Sequence, residues 1–93
     1  MNETKESDLE KKCKLFAESY GWMVLKFTSP ARRGVPDRVF IRDGVVLWIE
    51  FKRLGEKPST QQGFVMDKMR SKGAIVYWVD NFEQFKIILM GYV

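Results

Sequence analysis

Apolar positions recur at two different spacings along the chain, and the switches between them mark seven elements. Leu9, Cys13, Phe16, Ala17 and Tyr20 fall on one stripe at helical spacing, with Lys11, Lys12, Lys14 and Glu18 outside it. Ser7-Asp8-Leu9-Glu10 matches an S-x-x-E capping box, so the helix is predicted to start at Ser7, and Gly21 is placed to end it. Residues 22–27 read as a first strand, apolar on both faces except for Lys26. Arg38 to Arg42 and Val45 to Lys52 are β-branched and aromatic runs on either side of Asp43-Gly44. An Asp-Gly pair in that setting signals a two-residue hairpin, because a type I′ turn requires φ > 0 at both central positions.

Helical spacing returns with Gln62, Val65, Met66 and Met69, after Ser59 as cap and before Gly73 as stop. Residues 74–79 are wholly apolar and are predicted to form a strand buried on both faces. Asp80 or Asn81 then caps a last helix carrying Phe82, Phe85, Ile88 and Leu89. The order is α-β-β-β-α-β-α, an α/β fold, expected as one domain over residues 1–93 with polar residues 1–6 frayed. No repeat or linker interrupts it.

The hairpin has a chemical consequence. With Asp43 and Gly44 as the loop, Arg42 faces Val45, Ile41 faces Val46, Phe40 faces Leu47, Val39 faces Trp48 and Arg38 faces Ile49. The next pair is Asp37 and Glu50, two acids that repel when directly opposed. Strand alternation puts Val45, Leu47, Ile49 and Phe51 on one face, and Val46, Trp48, Glu50 and Lys52 on the other. Two carboxylates and a lysine on one face call for a metal ion and an anionic substrate.

Composition narrows the chemistry. The chain has no histidine, which excludes Ser-His-Asp and Cys-His triads and histidine-ligated zinc. One cysteine, Cys13, excludes a disulfide framework and fits a reducing, intracellular setting. Oxygen donors suit magnesium or manganese. A net charge of +4 leans toward a polyanionic partner. No run reaches transmembrane length and residues 1–6 do not form a signal peptide, so no membrane association is expected.

Pro36-Asp37, twelve intervening residues and Glu50-Phe51-Lys52 resemble the PD-(D/E)xK nuclease signature. The pattern is more similar still to the VRR-NUC branch, the virus-type replication–repair nucleases. That branch has an acid on the first helix, an R-G-x-P-D loop, an E-x-K strand and a glutamine opening the next helix. Here these are Glu10, Arg33-Gly34-Val35-Pro36-Asp37, Glu50-Phe51-Lys52 and Gln62. The resemblance implies a restriction-endonuclease-like αβββαβ(α) core, with a mixed central sheet flanked by helices. It implies Asp37, Glu50 and the Phe51 backbone carbonyl as metal ligands, Glu10 as a further ligand acting through water, and Lys52 and Gln62 as catalytic side chains. Glu10 and Gln62 each also suit a capping box, and Glu6 is the alternative helix acid. Arg32, Arg33, Arg38, Arg53 and Lys57 are candidate DNA contacts; the bland alternative for Arg32 and Arg33 is a solvated loop.

The expected activity is a magnesium- or manganese-dependent endodeoxyribonuclease of branched double-stranded DNA in the cytoplasm of a bacterial or phage-infected cell. By family analogy it resolves four-way junctions as a homodimer, with Met23, Tyr92 and the last helix as a possible dimer surface. A flap, nick or end nuclease and a non-catalytic nucleic-acid-binding domain are the alternatives.

Overall fold

In the computed structural model, which describes residues 5–93, the seven expected elements appear in the expected order. They are α1 (Glu6–Ser19), β1 (Met23–Lys26), β2 (Arg38–Arg42), β3 (Val45–Phe51), α2 (Thr60–Ser71), β4 (Ile75–Val79) and α3 (Phe82–Met90). Of the stretch expected to fray, residues 1–4 lie outside the described residues, whereas Glu6 is already helical.

The strands form one sheet in the order β1-β2-β3-β4. The first three pair antiparallel, and β4 joins β3 in parallel across the α2 crossover. The β2–β3 register runs from Arg42↔Val45 to Arg38↔Ile49, as the hairpin reading requires. Asp43 and Gly44 have φ of 48° and 82°, the left-handed backbone that a type I′ turn demands.

Strand alternation then divides the molecule into layers. On one face Leu47, Ile49, Phe51 and Phe40 meet Leu9, Cys13 and Ala17 of α1 and Phe85 and Leu89 of α3. Phe40, Phe51 and Phe85 form a ring triad with centroids 5.3 to 6.3 Å apart. These side chains are at most 1% exposed, and dry burial on this scale is the main source of stability. On the other face α2 sets Val65 and Met66 over the sheet.

Two expectations need correction. The α1 N-cap is Lys5, without a side-chain cap, so Ser7 and Glu10 form no capping box. Glu10 instead pairs with Arg38 across the fold, an ion pair that helix-local patterning does not reveal. The first strand is an edge strand, with Met23, Leu25, Lys26 and Phe27 exposed; Trp22, just before it, is buried. The last strand is the other edge, with Val76 and Val79 buried and Ile75, Tyr77 and Trp78 only partly covered. An apolar run reports burial but not whether a strand has neighbours on both sides.

Candidate active site

Pro36 and Asp37 lead into β2, and Glu50, Phe51 and Lys52 close β3. Glu50 is 8% exposed and is the one buried charged side chain among the described residues. Burial, with Asp37 repelling it, pushes the Glu50 carboxyl up to about 7, against a smaller opposing pull from Lys52. Lys52 Nζ lies 3.8 Å from Glu50 Oε2, and Gln62 Nε2 donates to the same oxygen at 3.4 Å.

Gln62 is a helix cap and a site residue at once. Its Oε1 accepts from Ser59 N–H at 2.9 Å, while Ser59 Oγ accepts from Gln62 N–H at 3.1 Å. A backbone donor leaves no choice of amide orientation: the oxygen faces Ser59, so the NH₂ group faces Glu50. The two alternatives for this residue are therefore not exclusive.

The approach to Asp37 is equally constrained. Gly34 has φ of 90°, and a Cβ there would sit 3.1 Å from Gln61 O and Val65 Cγ2. Only glycine lets this loop rest on the first turn of α2. Past Arg38, the antiparallel ladder sets Asp37 C=O toward β1, where it accepts from Phe27 N–H at 2.8 Å. Alternation of bonded pairs from the turn onward then brings Pro36 opposite Phe51. Proline has no N–H, so the Phe51 C=O meets no ladder donor there. On the other side, Lys52 N–H donates to Val79 O at 2.9 Å and anchors the strand end to β4.

Glu10 approaches from α1. Burial raises its pKa, Arg38 opposes the shift, and Asp37 adds a smaller repulsion, so Glu10 stands within electrostatic reach of the acid pair. Its partner Arg38, at 3.5 Å, is partly buried and turned to the α1 side, so it differs from the other candidate DNA contacts. Arg32, Arg33, Arg53 and Lys57 are exposed, with Arg53 paired to Glu56 at 3.4 Å. Gly55 N–H donates to Asp80 Oδ2 at 3.1 Å, which ties the loop of Arg53 and Lys57 to the end of β4. Glu6 is exposed on the first turn of α1 and adds a minor repulsion to both Glu10 and Glu50.

Among the described residues, no three acidic, cysteine or histidine side chains converge tightly enough to hold an ion by themselves. The available donor set is all hard oxygens, two carboxylates plus the Phe51 carbonyl, which the strand alternation places opposite a proline. Such a set suits magnesium or manganese completed by water, and added positive charge would relieve the repulsion that raises Glu50.

Two neighbours of this centre have no sequence signal. Trp78 lies beside Glu50 in the β3–β4 register, and Phe27 lies across from Asp37. Each is placed by strand pairing between segments distant in the chain.

No family model matches the chain. A phage protein named "Putative nuclease p44", from Acyrthosiphon pisum secondary endosymbiont phage 1, is 41% identical over 59 residues. That match takes in 62% of this chain and 63% of the length of the phage protein. A solved structure described as a VRR_NUC domain superposes with a TM-score of 0.87 at 30% identity, covering 97% of this chain and 99% of that one. The chain belongs to the VRR-NUC family. Its mixed four-stranded sheet between helices is the VRR-NUC fold, and its relatives point to nuclease activity. No helix among the described residues is long and apolar enough to cross a membrane.

Proposed function

We propose that this VRR-NUC domain is a magnesium- or manganese-dependent endonuclease that hydrolyses phosphodiester bonds in branched double-stranded DNA, four-way junctions foremost. The observation that carries the reading is the convergence on Glu50. A buried carboxylate faces the repulsion of Asp37 while Lys52 and Gln62 both aim at Oε2. A purely structural role gives no reason to gather these groups, since a buried acid facing a second carboxylate without a cation opposes folding.

Asp37, Glu50 and the Phe51 C=O would hold the cation, with Glu10 reaching it through water. When bound, the cation supplies positive charge at the scissile phosphate and acidifies nearby water. Lys52 lies where it can orient the attacking water or hold charge on a phosphate oxygen. Gln62, its amide fixed by Ser59, offers Nε2 as a donor of set direction, the preorganisation that favours a transition state over a flexible ground state. Exposed Arg32, Arg33, Arg53 and Lys57 flank the centre and fit backbone contacts, which position a duplex without reading its sequence.

One such centre cuts one strand, so symmetric resolution takes two copies related by a two-fold axis. Ile87 and Met90 on α3, with Val93 beyond it, are exposed apolar side chains suited to that contact. Tyr92, partly buried, also serves the fold, its hydroxyl 2.7 Å from that of Tyr77.

The test is cleavage of labelled four-way, flap, duplex and single-stranded DNA with and without magnesium or manganese. Paired nicks on the junction, dependent on the metal, are expected. Lys52→Ala should lower the rate by about 10²- to 10³-fold with binding and circular dichroism intact. A wild-type protein that cuts none of these with either metal refutes the reading.

A further inference from the structure

The helix on the catalytic side covers only part of its sheet face. Arg70 Nε donates to Val76 O at 3.0 Å, so that flank of α2 points to the outer edge of β4. Helical periodicity turns the opposite flank, bearing Lys68 and Lys72, toward β2 and β1. There the β1 side of the face is open to solvent. Strand register sets Met23 level with Ile41 and Val46, then Leu25 level with Val39 and Trp48, then Phe27 level with Asp37. Of these, Met23, Leu25, Phe27 and Val46 are 39% to 59% exposed, while Val39 is buried and Ile41 and Trp48 are partly covered; Phe27 stands edge-on to Trp48 with centroids 5.1 Å apart. An apolar strip along β1, with Val46 at its far end, thus begins beside Asp37 and leads away from it.

Its border is cationic. Lys68 and Lys72 are exposed on the α2 side, and neither has an ion-pair partner among the described residues. Arg32 and Arg33, equally unpaired, lie in the loop that Gly34 fastens to α2. Apolar floor and basic margin together match one kind of polymer, whose bases are apolar on their faces and whose backbone is anionic.

We propose that this strip is a single-strand platform. Unpaired nucleotides next to the scissile phosphate lay their bases on Phe27, Leu25 and Met23, with their phosphates along Lys68 and Lys72. The inference rests on the nuclease reading and deepens it: the preferred substrate carries an unpaired segment at the cleavage point, as a flap or an opened junction does.

Binding in EDTA separates this idea from catalysis. Anisotropy of a labelled oligothymidylate should show wild-type binding, about 10-fold weaker binding for Phe27→Ala, recovery with Phe27→Tyr, and a shallower salt dependence for the Lys68→Ala/Lys72→Ala double variant. A blunt duplex of equal length should respond less than about two-fold to Phe27→Ala, since stacked bases do not reach the floor. Sedimentation and thermal melting accompany each variant. Equal loss for duplex and single strand overturns the proposal, as does unchanged oligothymidylate binding by a folded Phe27→Ala protein. If Met23→Asp or Leu25→Asp instead turns a dimer into monomers and binding follows the dissociation, the strip is a seat for a second copy and the proposal falls. Absence of cleavage with metal would refute the nuclease reading and leave these binding results to stand by themselves.

Discussion

The α1/α3 face and the α2 face of the sheet share every strand, yet they are built for opposite ends. On the first, Phe40, Leu47, Ile49, Phe51, Phe85 and Leu89 meet in an apolar cluster, with the Glu10–Arg38 pair partly buried beside α1. On the second, α2 shields one part, a buried acid sits at the end of β3, and β1 offers apolar residues to solvent. The contrast teaches where a small domain puts its stability. One dry face carries the fold, which leaves the other free to hold charges that oppose folding.

Truncation should separate the faces most sharply. Phe85→Ala removes a ring from the aromatic triad and is expected to destabilise by about 3–5 kcal/mol, measured by urea unfolding. A loss below about 1 kcal/mol would mean that the core is not concentrated on that face.

Next in size is the pH dependence of metal-free stability. The folded-state pKa of Glu50 is about 7, above the usual value of 4.5, so the folded protein holds a proton that the unfolded chain releases. That contribution is complete below about 4.5 and is lost as pH rises through about 7. Stability should therefore fall over this window by an amount on the order of 3 kcal/mol, and the melting temperature with it. Glu50→Gln should flatten the fall. Magnesium or manganese, which favours the ionised carboxylates, should raise the melting temperature chiefly above pH 7. A profile unchanged by Glu50→Gln would remove Glu50 as its source.

Ser59→Ala tests the coupling of fold and site at one residue. Losing the cap should cost about 1 kcal/mol. Because the Gln62 amide loses a partner of its capping box, cleavage should drop further than the change in stability accounts for. Equal activity at full folding would show that the cap does not orient Gln62.

The smallest effect belongs to the bare strip. Met23→Ala should alter stability by no more than about 0.5 kcal/mol, because a side chain already in water has little burial to lose. A cost above about 2 kcal/mol would show that something covers this strip in solution.

Local chemistry determined a good deal by itself. The Asp43-Gly44 turn needs only its own two residues and the twist of adjoining strands, so the hairpin register, and with it the opposition of Asp37 and Glu50, was legible in sequence. Ser59 and Gln62 are three residues apart and cap each other whatever surrounds them, and Asn81 caps α3 likewise, accepting from Gln84 N–H at 2.8 Å. Cross-fold placements were not legible. Glu10 has a perfect local partner in Ser7 and leaves it for Arg38, 28 residues away, because tertiary packing half-buries both charges together. Strand β4 read as buried on both faces and became an edge, since hydrophobicity carries no label for which neighbour supplies the cover. The parallel pairing that sets Trp78 beside Glu50, and the position of α2 that bares the strip from Met23 to Phe27, depend on chain closure over long separations. The sequence determined which acids would face each other; the tertiary structure alone decided what surrounds them.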